Sequence, residues 1–157
     1  MSAPTSLLEM FSIESVLPDL DSRGKPDAIR EMVQCAVKGG RLPRTRLQQA
    51  VDAILAREER GSTGLGKSIA IPHAKLPGLR KHAGVIARSV DGLDFRAVDG
   101  EPVYVLVMMI SPESRSQEHL DSLKWVSALA RDPDFCSFIR QARSAEQIFE
   151  VLQERAG

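Results

Sequence analysis

Gly61-Ser-Thr-Gly-Leu-Gly-Lys-Ser-Ile-Ala-Ile-Pro-His73 is the stretch on which the reading of this chain turns. Glycine and hydroxyl residues fill its first half too densely for a helix to continue through it. Ile69-Ala-Ile71 then reads as a short strand that Pro72 must stop. Pro72 fixes its own φ and holds Ile71 extended, so His73 is expected on a restrained turn at the strand's end. The first eight residues, Gly61–Ser68, also match G-x-x-x-x-G-K-[ST], the loop whose backbone N–H groups cradle nucleotide phosphates. That loop needs a strand before it and a helix after it. Here a helix pattern precedes it and Ile-Ala-Ile-Pro follows, and the apolar run Val103–Ile110 ends in Ser-Pro-Glu without an aspartate to hold Mg²⁺. A nucleotide-binding enzyme is therefore a less favoured function.

Working outward, Pro43–Arg60 places Leu47, Ala50, Val51, Ile54 and Leu55 on one helical face. Pro26–Lys38 does the same with Ile29, Met32, Val33, Ala36 and Val37, and Gly39-Gly40 ends it. Two such helices joined by a short turn are expected to pack as neighbours. Downstream, Gly84–Val90 and Val103–Ile110 read as strands, and the second is apolar throughout and so belongs at the centre of a sheet. Helical spacing returns over Ser116–Arg131, Pro133–Ala142 and Ala145–Glu154, with Asp132-Pro133 breaking the first from the second. Ser144 and Gln147 form a capping box for the last. Helices before, between and after strands predict an α/β sandwich in a single domain over 1–157. The pattern leaves the strand order open.

Bulk properties exclude several function classes. A chain of 157 residues with 43% hydrophobic content can bury a core without disulfide or metal staples. Lys plus Arg and Asp plus Glu each number 21, so no net charge favours nucleic acid or an anionic membrane. Cys35 and Cys136 lie far apart in helical segments and read as small buried apolar residues, which suits a reducing compartment. The N-terminal run MSAPTSLLEMF lacks the basic and apolar regions of a signal peptide. Val103–Ile110 is too short to span a bilayer. A soluble cytoplasmic protein is expected, with no membrane insertion and no nucleic-acid partner.

The chemistry converges on His73. A neutral imidazole nitrogen is a nucleophile able to accept a phosphoryl group. Gly61, Ser62, Thr63, Gly64 and Gly66 would bring backbone N–H groups and hydroxyls to phosphate oxygens. Arg57, near the end of the preceding helix, could pair with the same group. Each has a plainer reading: a solvated loop histidine, a surface loop, an arginine complementing the helix dipole. His82 reads as structural or solvated, and His119 as a surface residue in the first turns of its helix.

The run from Arg57 to His73 resembles the active-site signature of enzyme IIA proteins of the bacterial phosphoenolpyruvate-dependent phosphotransferase system. The type is that of fructose and mannitol, and more closely its nitrogen-regulatory branch. Pro102–Glu113 resembles that family's central strand, Glu118-His119-Leu120 its second histidine motif, and the likeness runs from about Leu7 to Glu154. It implies a mixed β-sheet with helices on both faces, His73 as the phosphorylated residue, His119 beside it stabilising the phosphoryl group, and Arg57 near the site. It implies no metal and no cofactor. The implied donor is a small phosphohistidine carrier of the HPr kind, and the implied output is docking to regulatory target proteins. Delivery to a sugar-specific IIB protein is the alternative, and an adaptor that is never phosphorylated is less favoured still. Ser68 stands where this family usually has glycine. A positive φ there would strain the loop.

Overall fold

In the computed structural model, residues 9–156 are described. The expected start of the core at Leu7 and most of the N-terminal run lie outside them. A short 3-10 turn over Ile13–Ser15 leads into β1 (Val16–Leu17). Helix α1 (Lys25–Lys38) follows, with Pro26 in its first turn, where its missing N–H is no loss. Helix α2 spans Leu47–Glu59. It begins later than its periodicity suggests because Pro43 leads a 3-10 turn over Arg44–Arg46 first.

The strands come next: β2 (Gly64–Gly66), β3 (Ile69–Ala70), β4 (His73–Leu76), β5 (Ala83–Leu93) and β6 (Val103–Pro112). Three helices close the chain: α3 (Ser116–Arg131), α4 (Pro133–Gln141) and α5 (Ala145–Ala156). Asp132 ends α3 and caps α4, its carboxylate accepting from the Asp134 N–H at 3.0 Å. Ser144 caps α5 as expected, accepting from Gln147 N–H at 3.2 Å, but the Gln147 side chain reaches back to the N–H of Arg143 rather than that of Ser144.

All six strands form one sheet in the order β1-β5-β6-β3-β2, with β4 also on β6. The sheet is mixed: β5 runs antiparallel to β6, while β3 and β4 run parallel to it. Strand β6 is central, as its unbroken apolar run predicts. From Val105 to Ile110 its residues alternate between two cores. Val103, Leu106, Met108 and Ile110 pack with α1 and α2, through Ile29, Met32, Val33, Val51 and Ile54. Val105, Val107 and Met109 pack with α3, α4 and α5, through Trp125, Val126, Phe135, Ile139, Ile148 and Leu152. Helices thus cover both faces, and the described residues make one domain.

Two expectations are corrected. The Ile69–Ile71 strand does not end at Pro72. It pauses there and resumes as β4, so that β3 pairs with Val105–Leu106 and β4 with Met109–Pro112 of the same neighbour. Proline is tolerated because its carbonyl still accepts from Met109 N–H, at 3.0 Å, and only its absent N–H is lost on the outer side. Nor is the glycine-rich run a plain loop. Gly64–Gly66 pairs antiparallel with β3, and the turn between them is carried by Gly66 (φ 87), Lys67 (φ 55) and Ser68 (φ 76).

Candidate functional site

Because the strand resumes after Pro72, His73 is its first residue rather than a turn residue. Its Nδ1 lies 2.9 Å from the carbonyl oxygen of Ile71, two residues back. A carbonyl only accepts, so Nδ1 carries the proton and Nε2 keeps its lone pair. The nucleophilic nitrogen of the ring is thereby selected by the backbone. Register sets the rest: His73 and Lys75 point to one side of β4, while Ala74 and Leu76 enter the core under α1 and α2.

His119 reaches the same place from the first turns of α3 and is 6% exposed. The helix-surface reading is thus corrected: α3 turns this face inward, against the end of β6. The two imidazole rings lie 5.5 Å apart, tilted by 46°. His119 Nδ1 is 2.6 Å from Ser111 Oγ, which leaves Nε2 as its free ring nitrogen. Around the pair is an open cavity of about 480 Å³, lined also by Arg57, Arg60, Lys75 and Glu113. Arg57 comes from the last turn of α2 and is steadied by the Gly61 carbonyl, 2.8 Å from Nη1.

The electrostatics favour neutral imidazoles here. Burial lowers the His73 pKa below the usual histidine value, and the nearby Arg57 adds to this, against the Ile71 hydrogen bond and Glu58. His119 is pushed down to about 4, first by burial and then by the positive fields of His73, Lys75 and His82. A neutral histidine with a free lone pair, next to Arg57, Arg60 and Lys75, suits the transient holding of a dianionic group.

The predicted phosphate loop is placed elsewhere. None of Gly61, Ser62, Thr63, Gly64 and Gly66 lines the cavity. The Ser62 and Thr63 side chains are committed internally. Ser62 Oγ donates to the Phe95 carbonyl at 3.1 Å and accepts from Gly64 N–H. The Thr63 hydroxyl and N–H both donate to Glu58. The loop acts from behind, holding the end of α2 and β3 in place. No strand precedes it and no helix follows, so it is not a nucleotide cradle. Ser68 does adopt the left-handed conformation that usually calls for glycine.

Several residues at the site carry no sequence signal. Glu58 is 7% exposed, takes the Thr63 hydrogen bonds, and is paired with Lys25 Nζ at 2.9 Å. Ser111, in an otherwise apolar strand, bridges His119 and His82, and His82 is buried, so its structural reading holds against the solvated one. A polar residue ending an apolar strand was the only hint. Among the described residues no three His, Cys, Asp or Glu side chains converge as a metal site requires, and no helix is long and apolar enough to cross a membrane.

Comparison with known proteins agrees with this architecture. The chain is 34% identical over 146 residues to a nitrogen regulatory protein of Bradyrhizobium diazoefficiens, covering 93% of this chain and 94% of that one. It is also 34% identical over 147 residues to a fructose-specific EIIA component of Haloferax volcanii, covering 94% and 91%. The crystal structure of the nitrogen regulatory protein IIA-Ntr from Neisseria meningitidis superposes with a TM-score of 0.83 at 25% identity, covering 93% of this chain and 98% of that one. Residues 9–155 match the family described as phosphoenolpyruvate-dependent sugar phosphotransferase system, EIIA 2. The protein belongs to the type 2 enzyme IIA family of the phosphotransferase system.

Proposed function

We propose that the protein is a phosphoryl carrier with a regulatory output, and that His73 Nε2 is the atom that carries. The observation behind this is the tautomer lock: Ile71 holds the Nδ1 proton, so the free lone pair is at Nε2, 5.5 Å ring to ring from His119 and beside Arg57. In the transfer, the N–P bond of a phosphohistidine on a small HPr-like carrier breaks as the His73 Nε2–P bond forms, and the donor imidazole leaves with its electron pair. Catalysis of such a step consists of positioning and charge stabilisation. Arg57, with Arg60 and Lys75, supplies the charge, and His119 supplies a hydrogen bond from within the cavity. The reaction is reversible and takes place in the cytoplasm, where such carriers operate. Incubation with phosphoenolpyruvate and the upstream phosphotransferase proteins should place an acid-labile phosphoryl group on His73, and His73→Ala should abolish it. Full labelling of that variant would sink the assignment.

The phosphorylated and free forms present different charge at one surface, which is how a small carrier signals. The regulatory reading draws support from the nitrogen regulatory relatives and the Neisseria structure. The transport reading draws support from the fructose-specific relatives, and a mannitol IIA of the same fold has been solved with a phosphorylated IIB partner. A capture experiment with the two forms separates them. Form-dependent retention of a regulatory protein supports signalling, whereas transfer of label to a sugar-specific IIB supports transport.

A further inference from the structure

Behind His119 runs a chain of hydrogen bonds, buried from His119 to His82 and half-exposed at Glu118, that the phosphoryl transfer itself does not call for. Glu118 Oε2 lies 2.8 Å from His82 Nε2, His82 Nδ1 lies 2.9 Å from Ser111 Oγ, and Ser111 Oγ lies 2.6 Å from His119 Nδ1. His82 is 7% exposed, His119 6%, and Ser111 is fully enclosed. The chain joins the start of β5, the end of β6 and the first turn of α3, and it opens on the cavity through His119 Nε2.

We infer that Glu118, His82, Ser111 and His119 form a proton relay that answers phosphorylation of His73: a proton enters at His119 Nε2, and the relay moves the resulting charge to His82, beside Glu118. The inference rests on His73 being the phosphoryl acceptor.

The direction of the relay follows from counting protons. Ser111 has one hydroxyl proton and can donate to only one of its two imidazoles. An ionised Glu118 only accepts, so His82 carries a proton on Nε2. While His82 is neutral its Nδ1 is bare and takes the Ser111 proton. Ser111 Oγ then accepts from His119 Nδ1–H, and His119 Nε2 is left with a lone pair facing the cavity. That arrangement suits an empty cavity, in which water can donate to both His73 and His119. It does not suit a phosphoryl group on His73, whose oxygens would meet a bare nitrogen.

One proton from solvent resolves the conflict. It binds His119 Nε2. The His119 Nδ1 proton passes to Ser111 Oγ, and the Ser111 proton passes to His82 Nδ1. Only N–H and O–H bonds change, and the N–P bond is untouched. The donors then all point one way: His82 to Ser111, Ser111 to His119, His119 to the phosphoryl oxygen. His82 becomes an imidazolium in contact with a carboxylate, while His119 stays neutral. Contact with Glu118 is what favours this placement. In the free protein His119 is faced by His73, Lys75 and His82, and burial with those neighbours already holds its pKa far below the ordinary value. His82 has Glu118 at 2.8 Å, and Glu118 is shared with Arg115 at 3.7 Å. The cleft outside His82 is lined by Arg41, Arg80, Lys81 and Arg115 against Glu9, so the direct contact with Glu118 is what must hold the added charge there. His82 and Ser111 are thus positioning residues for His119.

The test is ¹⁵N NMR of the histidine rings in full-length protein, before and after phosphorylation by phosphoenolpyruvate and unlabelled upstream phosphotransferase proteins, at about pH 8, where an ordinary free histidine is neutral. His73 bearing phosphate, His82 protonated on both nitrogens and His119 protonated only on Nε2 is the expected result. His73 bearing phosphate with His82 still singly protonated overturns the relay, wherever the proton on His119 resides, and leaves the carrier reading intact. Failure of His73 to take the phosphoryl group overturns the carrier reading and the relay with it. Kinetics give a second readout. His82→Gln keeps an amide between Ser111 and Glu118 but cannot become a cation. It should shorten the lifetime of phospho-His73 roughly tenfold, the scale of one charge-assisted hydrogen bond. The ratio of wild-type to variant lifetime should fall toward one as pH rises and the relay loses its proton. Ser111→Ala cuts the relay without adding an atom and should give the same loss. Unchanged lifetimes and pH profiles in both folded variants also overturn the relay.

Discussion

His119 is a histidine whose surroundings resist its charge, and that resistance has a consequence for stability. Its folded pKa, about 4, lies below the value near 6.5 it has in an unfolded chain. Above about pH 6.5 neither state binds the proton and the stability is fully present. As pH falls toward 4, the unfolded chain takes a proton that the folded site refuses, so stability is lost. The loss should be on the order of 1–2 kcal/mol after allowing for solvent screening through the open side of the cavity. His73, lowered for the same leading reason, acts in the same direction. Urea denaturation of unphosphorylated protein between about pH 7.5 and 4.5 should show this slope, and His119→Gln should flatten it. A slope unchanged in the variant would assign the acid lability to other groups. Ser68 offers a second residue-scale test. It holds φ 76 at the tip of the β2–β3 hairpin, where a side chain is strained. Ser68→Gly should raise stability by about 0.5–1 kcal/mol, the strain relieved less the extra freedom given to the unfolded chain. An unchanged or lower thermal midpoint would mean that the serine contacts outweigh the strain.

At the scale of elements, the helices and long strands were legible because each has a periodicity that burial enforces. Strand β6 alternates its side chains into two cores, and that is why it reads as apolar throughout. What could not be read was the Pro72 junction. Proline forbids a central strand, and the strand continues beyond Pro72 only because the β2 neighbour of β3 has ended there and β4 has β6 alone beside it, a fact of strand order. The same limit hid the role of the glycine run. Local composition suits a phosphate-binding loop, but Ser62, Thr63 and Glu58 satisfy one another first, and the ligand-facing surface is built from α2, β4 and α3 instead. The glycines serve close packing. A Cβ on Gly64 would lie 2.8 Å from both Cα and Cβ of Ala97. The loop bearing Ala97 is tied to this strand by the hydrogen bond from Val98 N–H to the Gly64 carbonyl, at 3.1 Å. Gly64→Ala should therefore cost about 2 kcal/mol as an overpacking change. It should do so without altering the chemistry of His73, which lies outside this contact. Loss of stability with full phosphorylation capacity at low temperature is the expected pattern, and loss of phosphorylation in a fully folded variant would return a direct role to the loop.

At the scale of the whole molecule, the question is what binds the C-terminal helices to the sheet beyond apolar contact. Arg88 sits in β5 among buried neighbours and is itself 7% exposed. Its guanidinium donates from Nε to the Pro18 carbonyl at 3.0 Å, and from Nη1 to the carbonyls of Ile139, Arg140 and Ala142 at the end of α4. Asp19 lies 3.7 Å from Nη2. One side chain thus satisfies the orphan carbonyls of a helix C-terminus, which need partners when buried, and ties α4 to the sheet and to the segment after β1. An arginine in an apolar strand gives no such hint in sequence, because its partners are backbone groups more than fifty residues away. Replacing it with Met keeps the apolar stem but strands those carbonyls. Arg88→Met should lose about 3 kcal/mol, the cost of breaking a buried charged network. Arg88→Lys should rescue little, since one ammonium cannot serve a fork of acceptors set at two angles. The loss should appear first as faster hydrogen exchange in α4 and α5, with α1 and α2 still protected, because those helices pack on the opposite face of the sheet. Uniform loss of protection across both faces would show instead that the two layers unfold as one unit, with Arg88 contributing to the whole rather than to the C-terminal layer.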